Sequence, residues 1–185
     1  MNLIHFSSQT PEWATPQDLF DKLNSDYHFT LDVAATAENA KCKKFFTAED
    51  DGLQKDWSSD VCWMNPPYGR GIIKWIAKAH DAWRSGATVV CLLPSRTDTR
   101  WFHKYCVHGR VEFIAGRIKF GGSKCGAPFP SMLVHFDDTQ CMFCENKRRD
   151  GKFAGSQICV PCYDILFQYS PSLALVRQMI GDSRP

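Results

Sequence analysis

Four consecutive residues, Asn65-Pro66-Pro67-Tyr68, bring together side chains suited to one kind of chemistry. Two adjacent prolines fix two φ angles, and each disfavours a helical conformation at the residue before it, so the turn is stiff. It projects Asn65 and Tyr68 in set directions. An exocyclic amine on an aromatic ring is a poor nucleophile because its lone pair is delocalised. A site that accepts both of its N–H groups, one on an Asn side-chain oxygen and one on a proline carbonyl, favours a more tetrahedral nitrogen. A neighbouring aromatic ring can stack on a flat substrate, worth roughly 1–3 kcal/mol for a base. Asn-Pro also initiates ordinary turns. The four residues together, after an apolar strand and before a helix, favour the chemical reading.

A second cluster lies near the C-terminus. Cys141-x2-Cys144 and Cys159-x2-Cys162, with fourteen residues between the pairs, have the spacing of a closed tetrahedral zinc site with a structural role. Between the pairs, the basic stretch holding Lys147, Arg148 and Arg149 is either a nucleic-acid contact through phosphates or a solvated loop. The other five cysteines, Cys91 in Val-Val-Cys-Leu-Leu among them, are expected to be buried free thiols of a reducing compartment.

The elements that must position these residues follow from periodicity. Thr15-Pro16-Gln17-Asp18 predicts a helix start with Thr15 as N-cap and Pro16 at the first helical position, and Leu19, Phe20 and Leu23 as its apolar face. Strands are expected at 29–35, 43–47, 61–64, 87–93, 111–114, 117–120 and 132–136. An amphipathic helix carrying Ile72, Ile76, Ala79 and Trp83 should run to Gly86, and 99–106 should be helical. The pattern predicts an α/β fold, a mostly parallel sheet with an antiparallel edge. Asp32, Glu49 or Asp50, and Asn65 fall at strand carboxyl ends, where such sheets bind ligands.

The bulk numbers bound the function. A length of 185 residues allows one enzyme-sized core, and a formal charge of +2 argues for nucleic acid only if the basic residues cluster. No apolar run reaches the roughly 20 residues of a membrane span, and the N-terminus does not read as a signal peptide, so a cytoplasmic location is expected.

Asn-Pro-Pro-Tyr resembles the (D/N/S)PP(Y/F) motif of amino-methyltransferases. The segments Pro11–Pro16, Thr30–Ala35, Trp63–Gly69, Leu92–Thr99 and Gly116–Phe120 occur in the same order in phage-type DNA N6-adenine methyltransferases, over about residues 10–136. The resemblance implies a Rossmann-like methyltransferase sheet and S-adenosylmethionine as cofactor. It also implies double-stranded DNA as substrate, with the adenine flipped out of the stack. Asn65 and the Pro66 carbonyl would hold the target amine, Pro67 would stiffen the turn, and Tyr68 would stack on the base, with no metal or general base at the centre. On the cofactor side the resemblance implies Asp32, Thr15-Pro16 for the methionine pocket, Asp50 or Glu49 for the ribose, and Asp56-Trp57 for the adenine. The usual glycine-rich turn is replaced by Ala34-Ala35-Thr36, and Asp50 and Asp56 also fit a turn and a helix cap.

The expected organisation is a methyltransferase core at 1–137, a four-cysteine zinc module at 138–165, and a C-terminal helix and tail at 166–185. No obligate protein partner is inferred, and the resemblance points to a phage or prophage setting. The same turn would serve cytosine N4, RNA amines or glutamine, and a non-catalytic zinc-ribbon nucleic-acid-binding protein is the reading from another class.

Overall fold

The computed structural model describes residues 13–137. Their frame is a six-stranded sheet of order β2-β1-β3-β4-β6-β5. The strands are β1 (Leu31–Asp32), β2 (Lys44–Phe45), β3 (Val61–Met64), β4 (Thr88–Pro94), β5 (Arg110–Phe113) and β6 (Ser131–Phe136). Strands β1 to β4 pair in parallel, and β6 pairs antiparallel with both β4 and β5. The expected antiparallel edge is formed by β6 and β5. The reversed strand β6 lies inside the sheet, and the edge strand β5 points the same way as β4. The 114–130 loop returns the chain so that β6 enters between them.

Period-two alternation sorts side chains onto two faces. From β4, Val89, Cys91 and Leu93 join Ile72, Ile76, Ala79 and Trp83 of α2 (Ile72–Arg84) in one core. Val90 and Leu92 join Phe20 and Leu23 of α1 (Gln17–Tyr27) in the other. A strand buried on both faces explains its continuous apolar run. Met64 belongs to the α2 face and Trp63 to the α1 face, so alternation carries Asn65 to the α1 side. Asp32, between Leu31 and Val33 of the α2-side core, points the same way and stands in register with Trp63.

At the opposite end of the sheet α1 is tied down by a polar cluster. The Tyr27 hydroxyl donates to Asp137 at 2.7 Å and accepts from Arg110 at 3.0 Å. Its one proton is thereby committed, so the 2.8 Å contact to His135 Nδ1 requires that nitrogen to carry the hydrogen.

Five expectations are corrected. Thr15 does not cap α1: the helix begins after Pro16 with no side-chain cap, because the Thr15 hydroxyl is engaged elsewhere. The expected strand at 117–120 is not formed. Ile118 and Phe120 are buried anchors that imitate alternation, but Ile118 is tied by an isolated bond from Ala127 to its carbonyl rather than by a ladder. Cys62, Cys91 and Cys106 are buried free thiols and Cys42 is half-buried, but Cys125 is exposed in the glycine-rich loop. The expected strands at 29–35 and 43–47 shorten to two residues each. Helix 99–106 becomes α3 (Arg100–Lys104) followed by a 3-10 turn.

Among the described residues no helix is long and apolar enough to cross a membrane. Cys141, Cys144, Cys159 and Cys162, with Lys147, Arg148 and Arg149, lie outside the described residues, as do the expected final helix and tail. Within the described part no group of His, Cys, Asp or Glu could hold a metal ion.

Candidate functional site

The sheet order reverses at β1, which leads to β2 on one side and has β3 on the other. Ligands of open α/β sheets bind beyond the strand ends at such a point. A cleft with about 700 Å³ of empty space, its open mouth included, lies there. Asp32 from the end of β1 and Asn65 from the end of β3 share it, with Trp13, Phe46 and Trp75 among its aromatic walls.

The Asn65 side chain is held by the N-terminal segment. Its Nδ2 donates to the Trp13 carbonyl and, at 3.0 Å, to the Thr15 hydroxyl oxygen. A backbone carbonyl only accepts, so the amide nitrogen must be on that side and the orientation is fixed. Oδ1 on the other side is buried and has no hydrogen-bond partner among the described residues. An unpaired buried acceptor costs about 1–3 kcal/mol. It is the feature expected of a site whose donor arrives with a ligand. The segment is itself fixed, since the Ala14 carbonyl accepts from Gly121 N–H at 2.9 Å and Trp13 packs edge-on against Phe120 and Phe129.

Asp32 is only 3% exposed. It accepts from Lys41 N–H at 3.0 Å and, more weakly, from Ala34 N–H at 3.4 Å. These bonds and the Lys41 charge favour the carboxylate, but burial outweighs them and pushes its pKa up to about 6. The result is a desolvated carboxylate suited to a cationic ligand group. Ala34 and Ala35 border the cleft where a glycine-rich turn was expected to be missing.

Other sequence candidates stand further back. Asp50 is exposed and does not line the cleft. It accepts from both the N–H and the hydroxyl of Thr47, each at 2.9 Å, and Thr47 does line it. Those bonds hold the Asp50 carboxyl below its ordinary range. Asp56 is likewise exposed and accepts from the N–H and hydroxyl of Ser58, the arrangement of a cap, which lowers its pKa. Trp57 is buried, donates from Nε1 to the Gly52 carbonyl at 3.0 Å, and stacks on Trp75 at 6.3 Å. It reaches the cleft through Trp75. Gly52 itself packs so close to the strand that a Cβ would stand 2.4 Å from the Val33 carbonyl. Pro16 is not among the lining residues, whereas Thr15 is.

Tyr68 faces the other way. Its hydroxyl donates to the Leu92 carbonyl at 3.1 Å, and its ring meets Phe120 and Phe129 edge-on. Burial raises its pKa well above the usual phenol value, so it stays neutral. It lines a small separate hollow with Gly69, Ile72, Pro94, Arg96 and Trp101. Asn65, Pro66 and Pro67 line the cleft and Tyr68 lines the hollow, so the turn divides the two.

The sequence reading missed Trp75, Phe46, Asn39 and Lys41. Trp75 had a signal: a large aromatic on α2 beside, not within, the apolar stripe of Ile72, Ile76, Ala79 and Trp83. Lys41, whose ammonium donates to Gln17 at 2.8 Å, had none, because its place depends on how the β1–β2 loop folds back.

The family model for DNA N-6-adenine-methyltransferase (Dam) matches residues 6–152. The chain belongs to this family. A DNA N-6-adenine-methyltransferase of Haemophilus phage HP1 is 33% identical over 135 residues, covering 68% of this chain and 78% of that protein. One of Escherichia phage T1 is 35% identical over 129 residues, 56% of this chain and 54% of that protein. A putative methyltransferase of Escherichia coli K12, YfdM, is 38% identical over 64 residues, 31% of this chain and 70% of that protein. The family match ends at 152, between the two cysteine pairs, so it includes Cys141 and Cys144 but not Cys159 and Cys162.

The buried carboxylate makes a prediction about stability. Its pKa rises on folding from the model-compound 3.8 to about 6, so the native state binds this proton more tightly than the unfolded chain does. The contribution is therefore fully favourable below about pH 3.8 and is lost as pH rises through about 6. At about 1.4 kcal/mol per pK unit, Asp32 should lower the unfolding free energy by about 2 kcal/mol between about pH 4 and about pH 7. Urea unfolding of wild type and Asp32→Asn at both pH values checks this. The difference between the proteins should change by that amount, and an unchanged difference would contradict the assigned ionisation.

Proposed function

We propose that this chain transfers a methyl group from S-adenosylmethionine to N6 of adenine in double-stranded DNA, with the base flipped out of the stack. The observation that carries the reading is the buried, unpaired Oδ1 of Asn65, a residue that lines a cleft with Asp32, in a chain of the adenine-N6 methyltransferase family. The cleft suits the cofactor: a desolvated carboxylate for its cationic part, and Phe46 and Trp75 as flat walls for its adenine. When bound, the cofactor supplies an electrophilic methyl group carried on a sulfonium.

The protein's contribution is placement and lone-pair control. Asn65 Oδ1 accepts one N–H of the adenine amine and the Pro66 carbonyl accepts the other, which localises the nitrogen lone pair. Pro67 keeps the turn from relaxing. The Tyr68 ring, braced by Phe120, Phe129 and the Leu92 carbonyl, stacks on the base from the hollow side. Asp32, Thr15 and the aromatic walls hold the cofactor, with Asp50 acting through Thr47 and Trp57 through Trp75. Fixing donor and acceptor in line converts a bimolecular encounter into an effectively unimolecular step, which can supply most of the acceleration. The place of action is the cytoplasm of a bacterium carrying the phage or prophage.

The test uses labelled S-adenosylmethionine and adenine-containing duplex DNA, followed by digestion to nucleosides. N6-methyl-2′-deoxyadenosine is the expected product. Label only in cytosine N4, RNA or protein would overturn the substrate, and no transfer at all over varied DNA would overturn the activity.

We infer further that Cys141, Cys144, Cys159 and Cys162 bind one structural zinc. The support is their paired spacing, which suits four thiolates around a tetrahedral ion and leaves no open position. On this reading the basic stretch of Lys147, Arg148 and Arg149, between the two pairs in sequence, contacts phosphates. Native mass spectrometry should find one zinc per chain, lost in Cys141→Ser/Cys144→Ser. A metal-free wild-type chain isolated without chelator would contradict the module.

A further inference from the structure

The loops that leave the strands at the cleft rim differ in charge from one side of the turn to the other. Segments 65–71, 95–100 and 114–130, after β3, β4 and β5, carry Arg70, Arg96, Arg100, Arg117, Lys119 and Lys124 against the single carboxylate of Asp98. All six cationic residues are exposed, and none forms an ion pair among the described residues. Segments 33–43 and 46–60, after β1 and β2, carry Glu38, Glu49, Asp50, Asp51, Asp56 and Asp60 against Lys41, Lys43 and Lys55. A net charge of +2 for the whole chain therefore conceals a divided rim.

The turn stands on this boundary. Asn65 opens to the cleft on the acidic side, and Tyr68 opens to the hollow whose wall includes Arg96 on the basic side. A polyanion approaching Tyr68 over the acidic segments would be repelled, and one approaching over the basic loops would be drawn in. The buried side chains Ile118 and Phe120 anchor the longest basic loop, and its tie to Ala14 joins it to the segment that orients Asn65.

We propose that the loops after β3, β4 and β5 form the face that tracks the DNA phosphates, so that the duplex enters from the β4–β6 side, opposite the cofactor. This rests on the DNA reading above and assigns it residues of the core itself rather than the C-terminal basic stretch alone. Phosphate contacts position the duplex and carry no direct sequence information. The rim accordingly sets affinity and register, not the choice of target site.

The experiment measures duplex affinity by fluorescence anisotropy across salt, for the wild-type chain and for the combined variant Arg96→Gln/Arg117→Gln/Lys124→Gln. If each neutralises one phosphate, the slope of log affinity against log salt should flatten by about 0.9 per contact, close to 3 in all. Binding should weaken alike for duplexes of different sequence, while S-adenosylmethionine affinity, which reports the folded cleft, stays at the wild-type value. Lys55→Gln, in the segment after β2, should leave the slope unchanged. A combined variant with the wild-type slope would overturn the proposal, most directly if Lys147→Gln/Arg148→Gln/Arg149→Gln removed it instead. A wild-type chain without duplex binding would overturn it too. If steep, rim-dependent DNA binding accompanied no adenine methylation, the reading of the activity would fail and the binding face would stand.

Discussion

The arrangement turns on how one amide is oriented. Asn65 has a donor side and an acceptor side, and the Trp13 carbonyl can engage only the donor. Everything that fixes Trp13 therefore also fixes where Oδ1 points: the Ala14–Gly121 bond, the packing of Trp13 on Phe120 and Phe129, and the Thr15 hydroxyl. Because the acceptor is buried without a partner, its cost of about 1–3 kcal/mol is recovered only when a donor arrives. A stiff two-proline turn prevents the amide from turning away to find another partner.

The sheet supplies the rest of the geometry. Alternation along β1 and β3 sends Asp32 and Asn65 to the same face, and their parallel pairing sets Asp32 level with Trp63, two residues before Asn65, at the reversal of strand order. Strand β4, buried on both faces, supplies the Leu92 carbonyl that fixes Tyr68, and reversed β6 completes the sheet beyond it. Asn65, Pro66 and Pro67 line the cleft and Tyr68 lines the hollow, so one stiff turn borders both. In the proposed reaction the two groups that must meet would enter by these two cavities and be fixed before they react.

Much of this was legible where the signal was local. The Asn65–Tyr68 turn, the apolar run of β4 and the face of α2 follow from adjacent residues and short periods, and Asp32 was found by being acidic among apolar neighbours. What the sequence hid was set by tertiary contact. Thr15 looked like a helix cap because caps and ligands of an amide use the same hydroxyl. Residues 117–120 looked like a strand because two buried anchors two residues apart have a strand's period without its ladder. Asp50 and Trp57 lie one residue behind the cleft, where Thr47 and Trp75 stand in front of them. Spacing along the chain does not distinguish a wall from its support.

The central claim is that the acceptor side of Asn65 serves the chemistry and the donor side serves the architecture. Substitution can separate the two. Asn65→Asp keeps an acceptor facing the cleft but removes the donor to Trp13 and Thr15, whereas Asn65→Ala removes both. Single-turnover methylation of adenine-containing duplex DNA by the two variants, each saturated with S-adenosylmethionine, is the most direct measurement. The account predicts that Asn65→Ala falls by roughly 100-fold or more, the scale for losing one well-placed polar group, and that Asn65→Asp stays at least about tenfold above it. Equal rates for the two variants, or wild-type turnover in Asn65→Ala, would contradict it.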